Sequence, residues 1–438
     1  MRLSGKTNSP CTYLVIVVLL FTVLPVLHRL VDWRVGYSDQ SMISTLPLLA
    51  LLPAAAIVLY TGRIGRLPKP LLVCLWLWFG GFAFALGVGA LAGNAVASVY
   101  SFVQFILPAL FAIWLATSGI PPETLYARLA NFLLWLSVPL ALYAALQFVA
   151  IPPWDAQWMH DAGMTFIGIP EPYQLRPFST TNGPPQFADF LVAVIVLNLP
   201  RLRRPTPILV VQLALCVGTL ALTMVRADWI TLAVGVLCYI ALSPQRLRNF
   251  TLIAVIAGVG AVLIVNASSL LGSSAAGAAL QSRFSTFNDL GNDYSVNERQ
   301  SYFGDTLNEA LEQPIGQGLG VTGSAARLSQ GGADRPYDDG YIARFVEMGF
   351  FGMACYLGTV LLGIGIAFKR WIVFTRAGAN EDASVVAALV SMQLMLLVLD
   401  ASIDHHTNFT GLLFWLTLFW AYTWRTAKAV PADLPAAA

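Results

Sequence analysis

Apolar residues run through this chain in blocks too long for the core of a soluble domain. A helix that crosses a bilayer needs about 20 mostly apolar residues. About twelve stretches come close: 11–28, 42–60, 71–91, 99–116, 127–150, 185–200, 207–224, 228–242, 250–267, 340–367, 384–402 and 409–424. The pattern predicts an all-α integral membrane protein of about twelve transmembrane helices, with residues 1–438 forming a single polytopic domain. The first block has no Ala-x-Ala cleavage signal behind it, so Cys11–Leu27 reads as a retained signal-anchor helix.

Two longer polar segments interrupt the blocks. The first, about 151–184, is rich in Pro and aromatic residues, and Trp154, Trp158, Phe166 and Tyr173 suggest a segment lying along the headgroup layer. The second runs about 268–338. Within it Ser295-Val-Asn-Glu298 forms a capping box, in which each side chain satisfies a backbone N–H at a helix start. Phe303, Leu307 and Leu311 follow at intervals of four until Pro314 and Gly316 stop the pattern, which predicts a short amphipathic helix over about 296–313. Gly316, Gly318 and Gly320 come after a helix, whereas a phosphate-cradling glycine loop precedes one. They read as a helix stop and tight turn.

Composition agrees with the blocks: 57% of residues are hydrophobic and only 11% charged, against about a quarter charged in soluble domains. All five cysteines (Cys11, Cys74, Cys216, Cys238, Cys355) fall in apolar runs, without CxxC spacing, and read as packing residues. The net charge of +2 matters less than its distribution. Basic connections (Arg63, Arg66, Lys69; Arg201, Arg203, Arg204; Arg246, Arg248; Lys369, Arg370, Arg376) alternate with acidic or neutral ones. The positive-inside rule then puts both termini in the cytoplasm and both long loops outside. The outer side is acidic overall, so its arginines stand out: Arg29, Arg34, Arg176, Arg226, Arg283, Arg299, Arg327, Arg335 and Arg344.

The distribution of charge weighs between function classes. A transporter builds its substrate site near the bilayer midplane from intramembrane charges or broken helices. Here the nearest intramembrane acids, Asp189, Glu347 and Asp400, all fall near the outer ends of their blocks. That favours chemistry at the outer surface, although Pro108, Pro139, Gly258 and Gly260 inside helices keep a transporter as the alternative from another class. No metal-ligand spacing, nucleophile elbow or catalytic triad emerges. His405 and His406 are adjacent, and on a helix they would point about 100° apart.

Four pieces of sequence carry a family resemblance. RPFSTTNGPPQFADFL (176–191), MVRADWITLAVGVL (224–237), SVNERQSYFGDTLNEALEQPIGQGLG (295–320) and YDDGYIARFVEMGFFG (337–352) resemble, in order and spacing, the O-antigen ligase and O-antigen polymerase superfamily of bacterial membrane glycosyltransferases. The similar region spans about 176–352. The resemblance implies a polyprenyl-diphosphate-linked glycan donor, a glycan acceptor, no cofactor or metal, and transfer at the outer face of the bacterial inner membrane. It also implies a bilayer setting, a flippase and a chain-length regulator of the same pathway as partners, and no nucleic acid. Family arginines contact the diphosphate, a role that falls on Arg226 and Arg299. In the ligases a His-Asn pair opens the helix after the long loop, and this chain has Asp338-Asp339 there. That departure points away from ligation and towards a polymerase of O-antigen or exopolysaccharide repeat units. A glycan ligase and a transporter of lipid-linked oligosaccharide remain the alternatives.

Displacing a sugar from a lipid diphosphate needs cations for the leaving group and an acceptor for the hydroxyl proton. Arginine suits the first because its planar fork binds phosphate oxygens in pairs and stays charged. The catalytic candidates are Arg226, Arg299 and Asp338; the substrate-binding candidates are Arg176, Arg283, Asp339, Glu347, His405 and His406. Each also has a plain structural reading. Arg226 could pair with Asp228, Arg299 with Asp305 or Glu298, and Arg176 and Arg283 with headgroups. Asp338 or Asp339 could be the N-cap of the next helix, which would favour the ionised carboxylate and lower its basicity. Glu347 could bond a neighbouring helix.

Overall fold

The computed structural model describes residues 8–38, 42–246, 248, 250–258, 304, 307–308, 311–328, 339–402 and 407–425. Among them the fold is all-helical, with one isolated bridge between Gly168 and Leu175. Eight helical stretches are long and apolar enough to cross a membrane, by length and composition. They coincide with eight of the expected blocks. Three more blocks are shorter helices: Pro207–Thr223 and Arg226–Leu242 with 17 residues each, and Asn408–Thr423 with 16. At 1.5 Å per residue these rise about 24–26 Å, less than the roughly 30 Å hydrocarbon core. The remaining block, 250–267, is described only as far as residue 258.

Contacts divide the chain into two compact units, and each is made of two separated lengths of sequence. The first combines Met1–Ala50 with Glu123–Leu290. Its long helices are α1 (Asn8–Val35), α6 (Pro122–Val149), α8 (Pro184–Asn198), α9 (Pro207–Thr223) and α10 (Arg226–Leu242), with α7 (Pro153–Asp161) in the 151–184 segment. The helix starts follow local chemistry: Thr206 caps α9 by accepting from the Leu209 N–H at 3.2 Å, and a proline stands in the first turn of α7, α8 and α9. Helix α8 packs on α9 and α10, and α1 on α7.

The second unit combines Leu51–Pro122 with Gly291–Ala438. It holds α3 (Leu52–Tyr60), α4 (Lys69–Leu91), α5 (Ala95–Ala116), α11 (Gly340–Arg376), α12 (Asn380–Leu399) and α13 (Asn408–Thr423). Helix α11 packs on α4 and α12. Trp78 is the centre of its core, fully buried and within 6.2 Å, centroid to centroid, of Phe82, Phe105, Tyr356, Phe414 and Trp415. Its indole N–H donates to the Phe105 carbonyl at 3.1 Å, which satisfies the one polar atom the ring brings inside.

The 42–60 block is helical in pieces rather than continuous. A 3₁₀ turn at Met42–Thr45 leads into α2 (Leu46–Leu49), and α3 restarts at Leu52 with Pro53 in its first turn, where the missing N–H interrupts the ladder.

Candidate functional site

In the first unit the site residues gather at two places joined by the loop before α8. Arg176 donates from Nε to the Thr223 carbonyl at 3.0 Å and from Nη2 to the Met224 carbonyl at 3.2 Å. Those carbonyls end α9, where Met224 adopts a left-handed φ of 56°. Arg226 opens α10 two residues later and is partly exposed. Arg176 therefore clamps the turn that presents Arg226. Asp228, in the first turn of α10, is buried against the Asp189 carboxyl of α8 with Arg176 beside it.

The second place is a buried polar network that holds the 151–184 segment. Arg29 of α1 is fully buried and pairs with Asp155 of α7, Nε to Oδ1 2.8 Å. Its two terminal nitrogens donate to the carbonyls of Ser179, at 2.6 Å, and Thr181. The other Asp155 oxygen accepts from Tyr143 and Gln147, both at 2.7 Å, and Gln147 accepts in turn from the backbone N–H groups of Phe178 and Ser179. Trp158 and Phe178 cover the guanidinium, at 5.4 and 4.8 Å. Trp158 thus turns inward, into a small core with Met159, Ile167, Leu175 and Phe178, while Phe166 is exposed. The segment is pinned by this buried pair and its hydrogen bonds. No spacing in the sequence links Arg29 to Asp155; an arginine within a long apolar helix signals only that some partner exists.

In the second unit the glycine run after the predicted amphipathic helix docks into α11. That helix is broken at Gly349, where φ is 60° and ψ −166°. The Val346 and Glu347 carbonyls accept from the N–H groups of Gln317 and Gly318 at 2.8 and 3.0 Å, and the Phe350 N–H donates to the Pro314 carbonyl at 3.0 Å. A kink that frees backbone groups needs such replacements. Gly316, Gly318 and Gly320 all have φ between 83° and 92°, and each lies against backbone. The expected stop and tight turn is present, and it is also a tightly packed strap. Glu347 secures it: Oε1 accepts from the N–H groups of Gly320 and Thr322 and from the Thr322 hydroxyl, at 3.0, 3.1 and 2.7 Å. Oε2 pairs with Arg344, itself over the Phe105 ring at 4.7 Å.

Asp339 caps α11. Its Oδ1 accepts from the N–H groups of Tyr341 and Ile342 at 2.9 and 3.1 Å. Burial pushes its carboxyl above the usual aspartate range, aided by the nearby Asp400 carboxyl and opposed by the two cap hydrogen bonds. The cap alone would lower the carboxyl's basicity; the partly desolvated setting outweighs it. Asp400, buried, accepts from the Tyr356 hydroxyl, and its backbone carbonyl accepts from the Gly340 N–H at 2.8 Å. A cavity of about 480 Å³ opens beside Asp339, walled by Leu307, Tyr341, Ile342, Phe345, Phe350, Met353 and Ala354. Leu307 comes from the predicted amphipathic helix, of which residues 304, 307, 308, 311 and 312 are described and helical.

Asp338, Arg283, Arg299, His405, His406 and the Ser295–Glu298 capping box lie outside the described residues. Of the remaining candidates, Arg176 holds the turn that leads into Arg226 in the first unit, and Asp339 and Glu347 both belong to the opening turns of α11 in the second.

Part of these sites falls in the region that carries the chain's similarity to known proteins. Residues 211–357 match the O-antigen ligase family model. The match takes in Arg226, Asp339, Glu347 and the whole cavity wall, and agrees with the superfamily resemblance read from the sequence. It points to membrane glycan transfer of the O-antigen ligase or polymerase type, acting on lipid-linked glycans, in a bacterial inner membrane protein. No curated protein gives a significant match.

Proposed function

We propose that this chain is a polysaccharide polymerase. It joins polyprenyl-diphosphate-linked oligosaccharide repeat units at the outer face of the cytoplasmic membrane, in O-antigen or exopolysaccharide synthesis, without a metal or other cofactor. The observation that carries the reading is the O-antigen ligase match over 211–357, which contains both the Arg226 turn and the opening of α11. Arg226 and Arg299 bind the departing diphosphate. Arg176 contributes by holding the Arg226 turn, and Arg283 supplies further positive charge. The acidic pair Asp338-Asp339, in place of the ligases' His-Asn, favours chain growth over transfer to a different acceptor, with Asp338 acting on the acceptor. His405 and His406 contact sugar, and Glu347 supports the strap beneath the site. Both termini are cytoplasmic, and a flippase and a chain-length regulator serve the same pathway.

Arginine on a diphosphate makes charge-assisted, paired hydrogen bonds. Loss of one such arginine should cost about 1.5–3 kcal/mol of binding, a factor of about 10 to 150. Purified Arg226→Ala and Arg299→Ala proteins should therefore bind polyprenyl diphosphate in detergent micelles that much more weakly than the unaltered chain. Unchanged affinity in both would remove the arginines from the site. The ligase alternative predicts instead that product appears only when a separate, non-repeat acceptor is supplied.

A further inference from the structure

Backbone strain in the first unit collects around Arg176. Among the described residues, those other than glycine with a left-handed φ are Tyr173 (65°), Ser179 (50°), Met224 (56°) and Asn408 (53°). Tyr173 and Ser179 flank Arg176 at equal distance along the chain, and Met224 supplies a carbonyl to its guanidinium. Side chains rarely adopt that conformation, and it persists where the surroundings over-determine it.

Ser179 is held from several sides. Its N–H donates to Gln147 at 2.7 Å and its hydroxyl to the Leu140 carbonyl at 2.7 Å. Its carbonyl accepts from Arg29 at 2.6 Å and from Gln147 at 3.1 Å. One carboxylate fixes both of those donors, because Asp155 pairs with Arg29 and accepts from Gln147. The Arg176 N–H is tied in turn to the Ile167 carbonyl at 2.8 Å. The chain is thus fixed on both sides of Arg176 while its guanidinium holds the Thr223 and Met224 carbonyls before α10.

We propose that Asp155 and Arg29 are positioning residues for Arg226, acting through Ser179 and Arg176 on the turn that opens α10. This rests on the reading of Arg226 as a contact to the lipid diphosphate. Both side chains are wholly buried, so neither meets the substrate. Ordering the turn in advance means that the diphosphate meets an arginine already in place, which lowers the entropy lost on binding. Plain packing accounts for the pair less well, since apolar residues of similar volume often stabilise a fold as much as a buried ion pair does. The strained backbone held by the pair has no part in such packing.

The test is a double-mutant cycle on the purified full-length chain in detergent micelles, with polyprenyl diphosphate as the probe. Binding is measured well below the melting temperature of each variant. Asp155→Asn keeps the side-chain shape and removes the charge that holds Arg29; it should weaken binding about 2- to 30-fold. Arg226→Ala should weaken it about 10- to 150-fold. The double variant should bind no more weakly than Arg226→Ala alone, because the pair acts only through that arginine, whereas independent effects would multiply. Should Asp155→Asn fail to fold, Asp155→Glu, which keeps the charge and displaces it by one methylene, carries the same cycle. Losses that multiply, or unchanged affinity in the folded Asp155 variant, would overturn the positioning role and leave Arg226 on the diphosphate. Unchanged affinity in Arg226→Ala would overturn that contact and the positioning role with it.

Discussion

At the scale of single residues, the glycines of the strap separate two demands that a sequence presents as one. Gly318 has φ +92°, and a Cβ built there would stand 2.1 Å from the Cα of Gly89. Gly323 has φ +61° with open space around it. Alanine at 323 meets only the left-handed backbone penalty, about 1–2 kcal/mol. Alanine at 318 meets that penalty and a clash with backbone, and such overpacking adds about 1–3 kcal/mol. Thermal unfolding of the purified variants should thus rank Gly318→Ala well below Gly323→Ala; equal melting temperatures would mean that the strap is not packed as described. The sequence made the turn legible, because Pro314 and Gly316 end a periodic segment. It could not reveal the close approach, since Gly89 lies more than two hundred positions away. Arg29 and Asp155 pose the same difficulty: each residue was visible, but nothing local pairs them.

At the scale of elements, α11 joins several features: a cap at Asp339, an ion pair and strap anchor at Glu347, and a break at Gly349. Glu347→Gln keeps the shape and removes the charge that Arg344 needs. Breaking a buried pair from one side costs about 3–5 kcal/mol, so this variant should melt at a clearly lower temperature while retaining whatever affinity the folded protein has for glycan. Unchanged stability with weakened glycan binding would give Glu347 a direct substrate contact instead. The helices themselves were legible from hydropathy because desolvation leaves few alternatives for a long apolar block. Their starts were legible where proline or a capping residue marked them, as at Thr206 and Asp339. The broken 42–60 block was less so, because apolar character continues unchanged through Leu51 and Leu52 while the helix stops and restarts.

At the scale of the whole molecule, the order of basic and acidic connections makes a prediction that needs no side-chain detail. Reporter fusions or single introduced cysteines at the connections carrying Arg66, Arg204 and Arg376 should behave as cytoplasmic, and those within 151–184 as external. The opposite pattern would turn the acidic opening of α11 to the cytoplasm and away from flipped lipid-linked glycan. Charge bias is readable from sequence because it acts on each connection during insertion, whereas the division into two interleaved units depends on contacts between distant segments.

The reaction itself can be observed with the purified full-length chain, polyprenyl-diphosphate-linked repeat units as the sole glycan, and no added metal or nucleotide sugar. A ladder of products lengthening one repeat at a time, with one polyprenyl diphosphate released per bond formed, is the expected result. Release of diphosphate without lengthening, or no reaction with any such lipid, would contradict a polymerase.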